Sequence, residues 1–116
     1  MLPKDNDSEL DWSHRLDEVL SLAQTDQFAA MAMAKSMLPA VEAEYGVVSK
    51  ETMALYHQLG LLAMLLESYD EAELFLLKTM ELGELLPDIA ISGLADVTRH
   101  LTLLYEAKSR LLEKSD

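Results

Sequence analysis

Tyr56-His57-Gln58-Leu59-Gly60 and, a short way on, Tyr69-Asp70-Glu71-Ala72 decide how this chain folds. They set two small residues, Gly60 and Ala72, on consecutive helical stretches separated by a polar break. Ser49 offers an N-cap oxygen to the first stretch, which is expected to run to about Leu66. Ser68 or Asp70 is expected to cap the second, which runs to about Leu86. Gly60 has no side chain to hold a neighbour off, Ala72 does the same from the facing helix, and Tyr69 fills the bend. The reading is a helical hairpin.

The rest of the chain extends the same pattern on either side. Before the hairpin, Ser8 with Asp11 forms a cap-like start for a helix to about Gln24. Its residues Trp12, Leu16, Val19, Leu20 and Ala23 share one face at three-four spacing. Thr25-Asp26 breaks and recaps the chain, and a second helix spans about Gln27 to Tyr45, stopping at Gly46. Pro39 lies inside it and predicts a kink there or an early end near Leu38. After the hairpin, Pro87-Asp88 marks a break and a fifth helix covers about Ile89 to Glu113.

Sliding the sequence by 43 residues lays His14–Met37 on His57–Met80 without a gap, with 6 of 24 positions identical. The matches include His14/His57, Leu16/Leu59, Ala29/Ala72, Lys35/Lys78 and Met37/Met80, and both helix breaks coincide. A shift of 42 places Leu59, Leu61 and Leu62 on Leu101, Leu103 and Leu104. Shared Leu and Ala arise in any two amphipathic helices, but Lys-Ser-Met against Lys-Thr-Met in the register of His-x-Leu does not follow from that. The chain reads as a repeat of helical hairpins.

Tyr56-x-x-Leu59-Gly60 followed by Tyr69-x-x-Ala72 resembles the tetratricopeptide signature, and the 42–43-residue period is similar to the long repeats of kinesin light chains. Glu44 to Thr52 looks like the longer link of that family, and Leu86-Pro87-Asp88-Ile89-Ala90 like a degraded copy. The match is best over residues 52–82. Ala63 stands where the family has Tyr, Asp17 replaces the Gly of the second unit, and Asp26 replaces Tyr69. The resemblance implies an all-α fold, a right-handed array of antiparallel helix hairpins with about two and a half repeats and five helices. Residues 1–116 then form a single domain with units at about 8–49 and 50–88 and a closing helix at 89–114. HEAT-type repeats, of similar period, are the alternative fold.

Composition narrows what such an array does. With 116 residues, half of them apolar, the chain can bury one core and no more. It has no cysteine, which removes disulfide and thiolate chemistry. No stretch has the apolar length of a membrane span, and the acidic start is unlike a targeting segment. The reading is a soluble, cytoplasmic protein, and Met1 with the polar end Glu113-Lys114-Ser115-Asp116 suits a complete chain. The net charge of −12, divided equally between the two halves, repels nucleic-acid phosphates and favours basic partners.

Chemistry is sparse. The sequence has no phosphate-binding glycine loop, no His-Glu-x-x-His pair and no nucleophile elbow. His14, His57 and His100 recur every 43 residues. In a repeat array such positions lie one repeat apart, which predicts a row of histidines with no common ion. No catalytic residue, cofactor or metal is therefore expected. Each histidine belongs to a polar pair before a core leucine: His14-Arg15, His57-Gln58 and Arg99-His100. In kinesin-light-chain-like repeats this place holds asparagines that face a concave groove and bind an extended peptide, so the resemblance implies that these six residues line such a groove. The other reading has one member of each pair covering an inter-helix gap and the other solvated. Neighbours on the same faces, Ala54, Leu61 and Met64 beside His57 and Asp96, Leu103 and Glu106 beside Arg99, complete the candidate site.

Methionines 31, 33, 37, 53, 64 and 80 are either adaptable contact surface or core filler. Exposed acids such as Glu67, Asp70, Glu71 and Glu81 form a solvated face or select a basic partner. The leading function is a scaffold that binds a peptide or helix of a partner protein. A small acidic chaperone for a secreted or aggregation-prone partner and a self-assembling homodimer are the alternatives. The first helix, with Trp12, Leu16, Val19 and Leu20, is the end expected to meet a second copy.

Overall fold

The computed structural model describes residues 14–86 and 91–115. Among the described residues there are five helices and no strand: α1 (residues 14–22), α2 (Gln27–Tyr45), α3 (Lys50–Leu65), α4 (Tyr69–Leu85) and α5 (Ile91–Ser115). The caps at Ser8 and Asp11, Trp12, and the Pro87-Asp88 break lie outside the described residues. No helix among them is long and apolar enough to cross a membrane.

Local chemistry sets most of the boundaries. Asp26 is extended and its carboxylate accepts from the Ala29 amide at 3.0 Å, starting α2. Gly46, at φ 99°, ends that helix in a conformation that only glycine adopts readily. Ser49 then accepts from the Thr52 amide at 3.1 Å to start α3. The link is tightened from inside: the buried Thr52 hydroxyl donates to the Gly46 carbonyl at 2.7 Å, beside the buried Ser49. Pro39 does not end α2, which runs unbroken to Tyr45. Its ring is exposed, so the helix loses one hydrogen bond without forcing the proline into the core.

The turn from α3 to α4 departs from expectation. Ser68 occupies the cap position but its side chain makes no capping bond, and Asp70 lies within the first turn. The chain reverses instead through Glu67, at φ 59°, with the Ser68 amide donating to the Ala63 carbonyl at 2.8 Å and the Glu67 amide to Met64 at 3.0 Å. That paired closure normally uses glycine at the left-handed residue. Glu67→Gly should therefore stabilise the protein by about 0.5–1 kcal/mol, the relief of left-handed strain less the added freedom of the unfolded chain. Urea denaturation checks it, and an unchanged or lower midpoint would mean that Glu67 is not strained.

The helices pack mainly with their sequence neighbours. α3 is central, lying against α2 and α4 and lightly against α5, while α4 also carries α5. Among the described residues α2 and α5 do not meet, so the helices form an open array rather than a closed four-helix bundle. One core runs through it, with Ala30, Ala34, Leu55, Leu59, Ala63, Ala72, Leu76 and Leu104 fully buried. Val19 of α1 is also fully buried there and Leu16 is half-buried, while Leu20 stays exposed, so the described part of the first helix commits Val19 and part of Leu16 to its own chain.

Two glycines set the closest approaches. A Cβ on Gly60 would lie 2.6 Å from Leu76 Cδ2, so the residue across from Gly60 is Leu76, one turn beyond the expected Ala72. Gly83, which the repeat comparison did not single out, does the same for α5: a Cβ there would overlap Leu94. Met31, Met37 and Met53 are buried and Met33, Met64 and Met80 pack against the core, which favours the core-filler reading, although Met53 also borders a cleft. Polar contacts clip the outside. Lys35 meets Glu71 at 2.7 Å between α2 and α4, and Lys108 of α5 meets Glu73 at 3.0 Å and Asp70 at 3.2 Å on α4. Hydrogen bonds from Lys108 and then Tyr105 hold the Glu73 carboxyl below the usual carboxylate range.

Candidate functional site

His57 projects from α3 toward α5, and His100 projects back. Their rings hydrogen-bond, Nε2 to Nδ1, at 3.1 Å, with centroids 5.2 Å apart and planes inclined by 50°. The expected row of separate histidines is therefore corrected. Neighbouring helices lie roughly 8–10 Å apart, a gap that two facing imidazoles span. Only His14 stands apart, exposed on α1 with Nε2 3.0 Å from Glu18. Among the described residues no group of three or more His, Cys, Asp or Glu is placed to hold a metal ion.

Beside the histidine pair lies a cleft of about 290 Å³ lined by Lys50, Met53, Ala54 and His57 of α3, Thr79 of α4, and Gly93, Asp96 and Val97 of α5. It forms because α3 and α5 touch only lightly, leaving α4 to provide the floor. Thr79 is fully buried, and its hydroxyl donates to the Phe75 carbonyl at 2.8 Å, which satisfies its polar atom within α4. A Cβ on Gly93 would meet nothing within 4 Å, so the cleft is open on that side. Met53 and Val97 are buried apolar walls, and Lys50, Asp96 and half-buried His57 give the rim its polar groups.

Burial holds the His57 pKa below the ordinary imidazole value, and the neighbouring His100 lowers it further against the opposing pull of Asp96. Asp96 itself meets Arg99 at 3.3 Å, with both side chains more than half exposed. Tyr56, adjacent to His57 on the inner side of α3, lies 6.1 Å from the Phe75 ring, and its hydroxyl pKa is raised by burial and then by Glu42 and Glu81.

The sequence-derived residues divide among several places. Ala54, His57 and Asp96 line the α3–α5 cleft. His14 and Arg15 belong to a different cleft, between α1 and α2, with Glu18, Met33, Ser36 and Met37. Gln58, Leu61 and Met64 are half-buried on α3, and Arg99, Leu103 and Glu106 are exposed on α5. His100 sits against His57. Sequence reasoning left out Lys50, two turns before His57 on α3, and Gly93 and Val97, one turn before Asp96 and His100 on α5, and it named Met53 only among six methionines that are contact surface or core filler. The backward steps stopped at Ala54 and Asp96, three residues before His57 and Arg99; steps of four and seven back from His57 and of three and seven back from His100 reach Met53, Lys50, Val97 and Gly93. Thr79 comes from a different helix and carried no such signal.

Comparison with protein-family models, with curated proteins and with solved structures returns no match for this chain.

Proposed function

We propose that this chain is a tetratricopeptide-like interaction module that holds a segment of a partner protein in the cleft between α3 and α5. The observation that carries this reading is the lining of that cleft. Three helices contribute: buried apolar walls at Met53 and Val97, a floor at Thr79 of α4, an open glycine side at Gly93, and a polar rim of Lys50, His57 and Asp96. That combination suits a polypeptide, whose side chains take the apolar walls and whose polar groups meet the rim. The net charge of −12 favours a segment with basic residues. Binding rather than catalysis fits the cleft as well. Its one histidine is bonded to another imidazole, and no hydroxyl or thiol nucleophile is paired with it among the described residues.

Ala54 is the residue for the test, since it lines the cleft and is exposed rather than part of the buried core. A photo-crosslinking residue at Ala54 should capture one partner protein in the cell of origin, while the same residue at exposed Ala40 on α2 should not. Against the captured segment as a synthetic peptide, Ala54→Arg should weaken binding at least tenfold, about 1.4 kcal/mol, with an unchanged melting curve. Equal capture from both positions would remove the cleft from the site, and capture of a second copy of this chain would make the module a homodimer. Replacing His57 is a less clean test than the repeat pattern suggested, because its loss leaves half-buried His100 without its partner.

A further inference from the structure

The His57–His100 contact joins two helices that otherwise touch lightly, and His57 is also a wall of the cleft between them. An imidazole–imidazole hydrogen bond needs one N–H and one free ring lone pair. The neutral pair has both, and so does the pair after taking up one proton. After a second proton neither ring has a lone pair, and two cations would face each other across 3.1 Å. We propose that this pair is a proton-operated clasp: closed at neutral pH, it holds α3 and α5 together, and on double protonation it releases them and widens the cleft. This rests on the preceding reading for its functional meaning, since the cleft that widens is the one assigned to the partner.

The surroundings set where the clasp opens. On α5, Asp96 favours the charged form of His57 but is shared with Arg99, whose positive charge adjoins His100 in sequence. On α3, Lys50 shares the cleft and opposes a second cation, while α4 presents the neutral Thr79. Burial of His57 opposes its charging as well, so opening belongs below the ordinary imidazole range near pH 6.5. The sign follows directly. A histidine whose folded pKa is depressed gives stability that is complete above the unfolded value and is lost as pH falls toward the folded one. Val97, Leu101 and Leu104 hold α5 by buried apolar side chains, and the Glu73 carboxyl that meets Lys108 on α4 is kept below the usual carboxylate range, so release of the clasp changes the α3–α5 spacing without detaching the helix.

Because the chain has no cysteine, spin labels can be attached at Ala54→Cys on α3 and Thr102→Cys on α5, both exposed. The label–label distance should be longer at about pH 5 than at about pH 7.5, and this difference should vanish when His100→Gln is added. In the unmodified protein, NMR titration of the ring protons should show His57 and His100 each responding to protonation of the other, in two steps belonging to the pair. A spacing independent of pH, a pH response that survives His100→Gln, or two rings titrating without reference to one another would each overturn the clasp. All of these are read without a partner. Failure here therefore leaves the cleft assignment standing, and failure of the Ala54 cross-link leaves the clasp standing.

Discussion

Gly60→Leu is expected to destabilise the protein by about 3 kcal/mol, the upper end of the usual cost of overpacking. The site leaves no room for relaxation. A Cβ at residue 60 would already sit 2.6 Å from Leu76 Cδ2 and 2.7 Å from its Cγ, with the Leu76 backbone nitrogen at 3.5 Å. Leu76 is fully buried, so its side chain can move only by displacing other side chains of the same core. α3 and α4 would have to separate along their whole crossing. The cause can be isolated with Leu76→Ala, which opens a space where the new side chain collides. The double variant should then be more stable than the sum of the two single losses implies, by at least about 1 kcal/mol. Urea denaturation of the four proteins measures it. A Gly60→Leu protein as stable as the parent, or strictly additive losses, would show that α3 and α4 do not cross at this pair.

What the sequence made legible was whatever depends on near neighbours in the chain. Asp26, Gly46 and Ser49 each mark a helix end through a bond or backbone conformation within a few residues, and all three sit where local reasoning puts them. Gly60 was legible as a close-contact residue because so small a side chain in an apolar helix has few other uses. Its partner was not: Ala72 and Leu76 lie one turn apart on the same face, and the sequence does not fix the offset between two helices. The Glu67 turn was hidden for another reason. Left-handed closures are sought at Gly or Asn, and here Glu holds that conformation because two backbone hydrogen bonds close around it.

The site was legible in part for the same reasons. The 43-residue spacing drew attention to His57 and His100 as a set, and it predicted a row rather than a contact. It gives nothing of side-chain reach. Treating His57 and His100 as points one repeat apart missed that each extends across half of that gap. The polar pairs were expected to need a partner, and that need was sound for His57. The structure supplies the partner from within the chain, while Arg99 meets Asp96 and His14 meets Glu18. The cleft floor at Thr79 depends on α4, whose own pattern records only that Thr79 is buried.

Leu104→Ala carries the argument from packing to the cleft. Leu104 is fully buried and, with Val97 and Leu101, forms the line that fixes α5 to the rest of the protein. Truncating it removes three carbons from a packed site and should cost about 3 kcal/mol, within the range for buried Leu→Ala changes. Little else compensates, because the Lys108 contacts to Asp70 and Glu73 are partly exposed and screened by solvent. The loss should also be local. Among the described residues α5 is the last helix, and of α2 to α4 it meets α4 and, lightly, α3, so it can detach while the others stay packed. Amide hydrogen exchange should therefore quicken roughly a hundredfold in α5, the kinetic equivalent of that loss, while α2 and α3 keep most of their protection. The α3–α5 cleft would be lost with it, so Leu104→Ala should lower partner affinity although Leu104 does not line the cleft. Equal acceleration in every helix would instead mean that α5 is an integral part of one cooperative core. A partner that bound the variant undiminished would mean that the site lies on α1 to α4 alone.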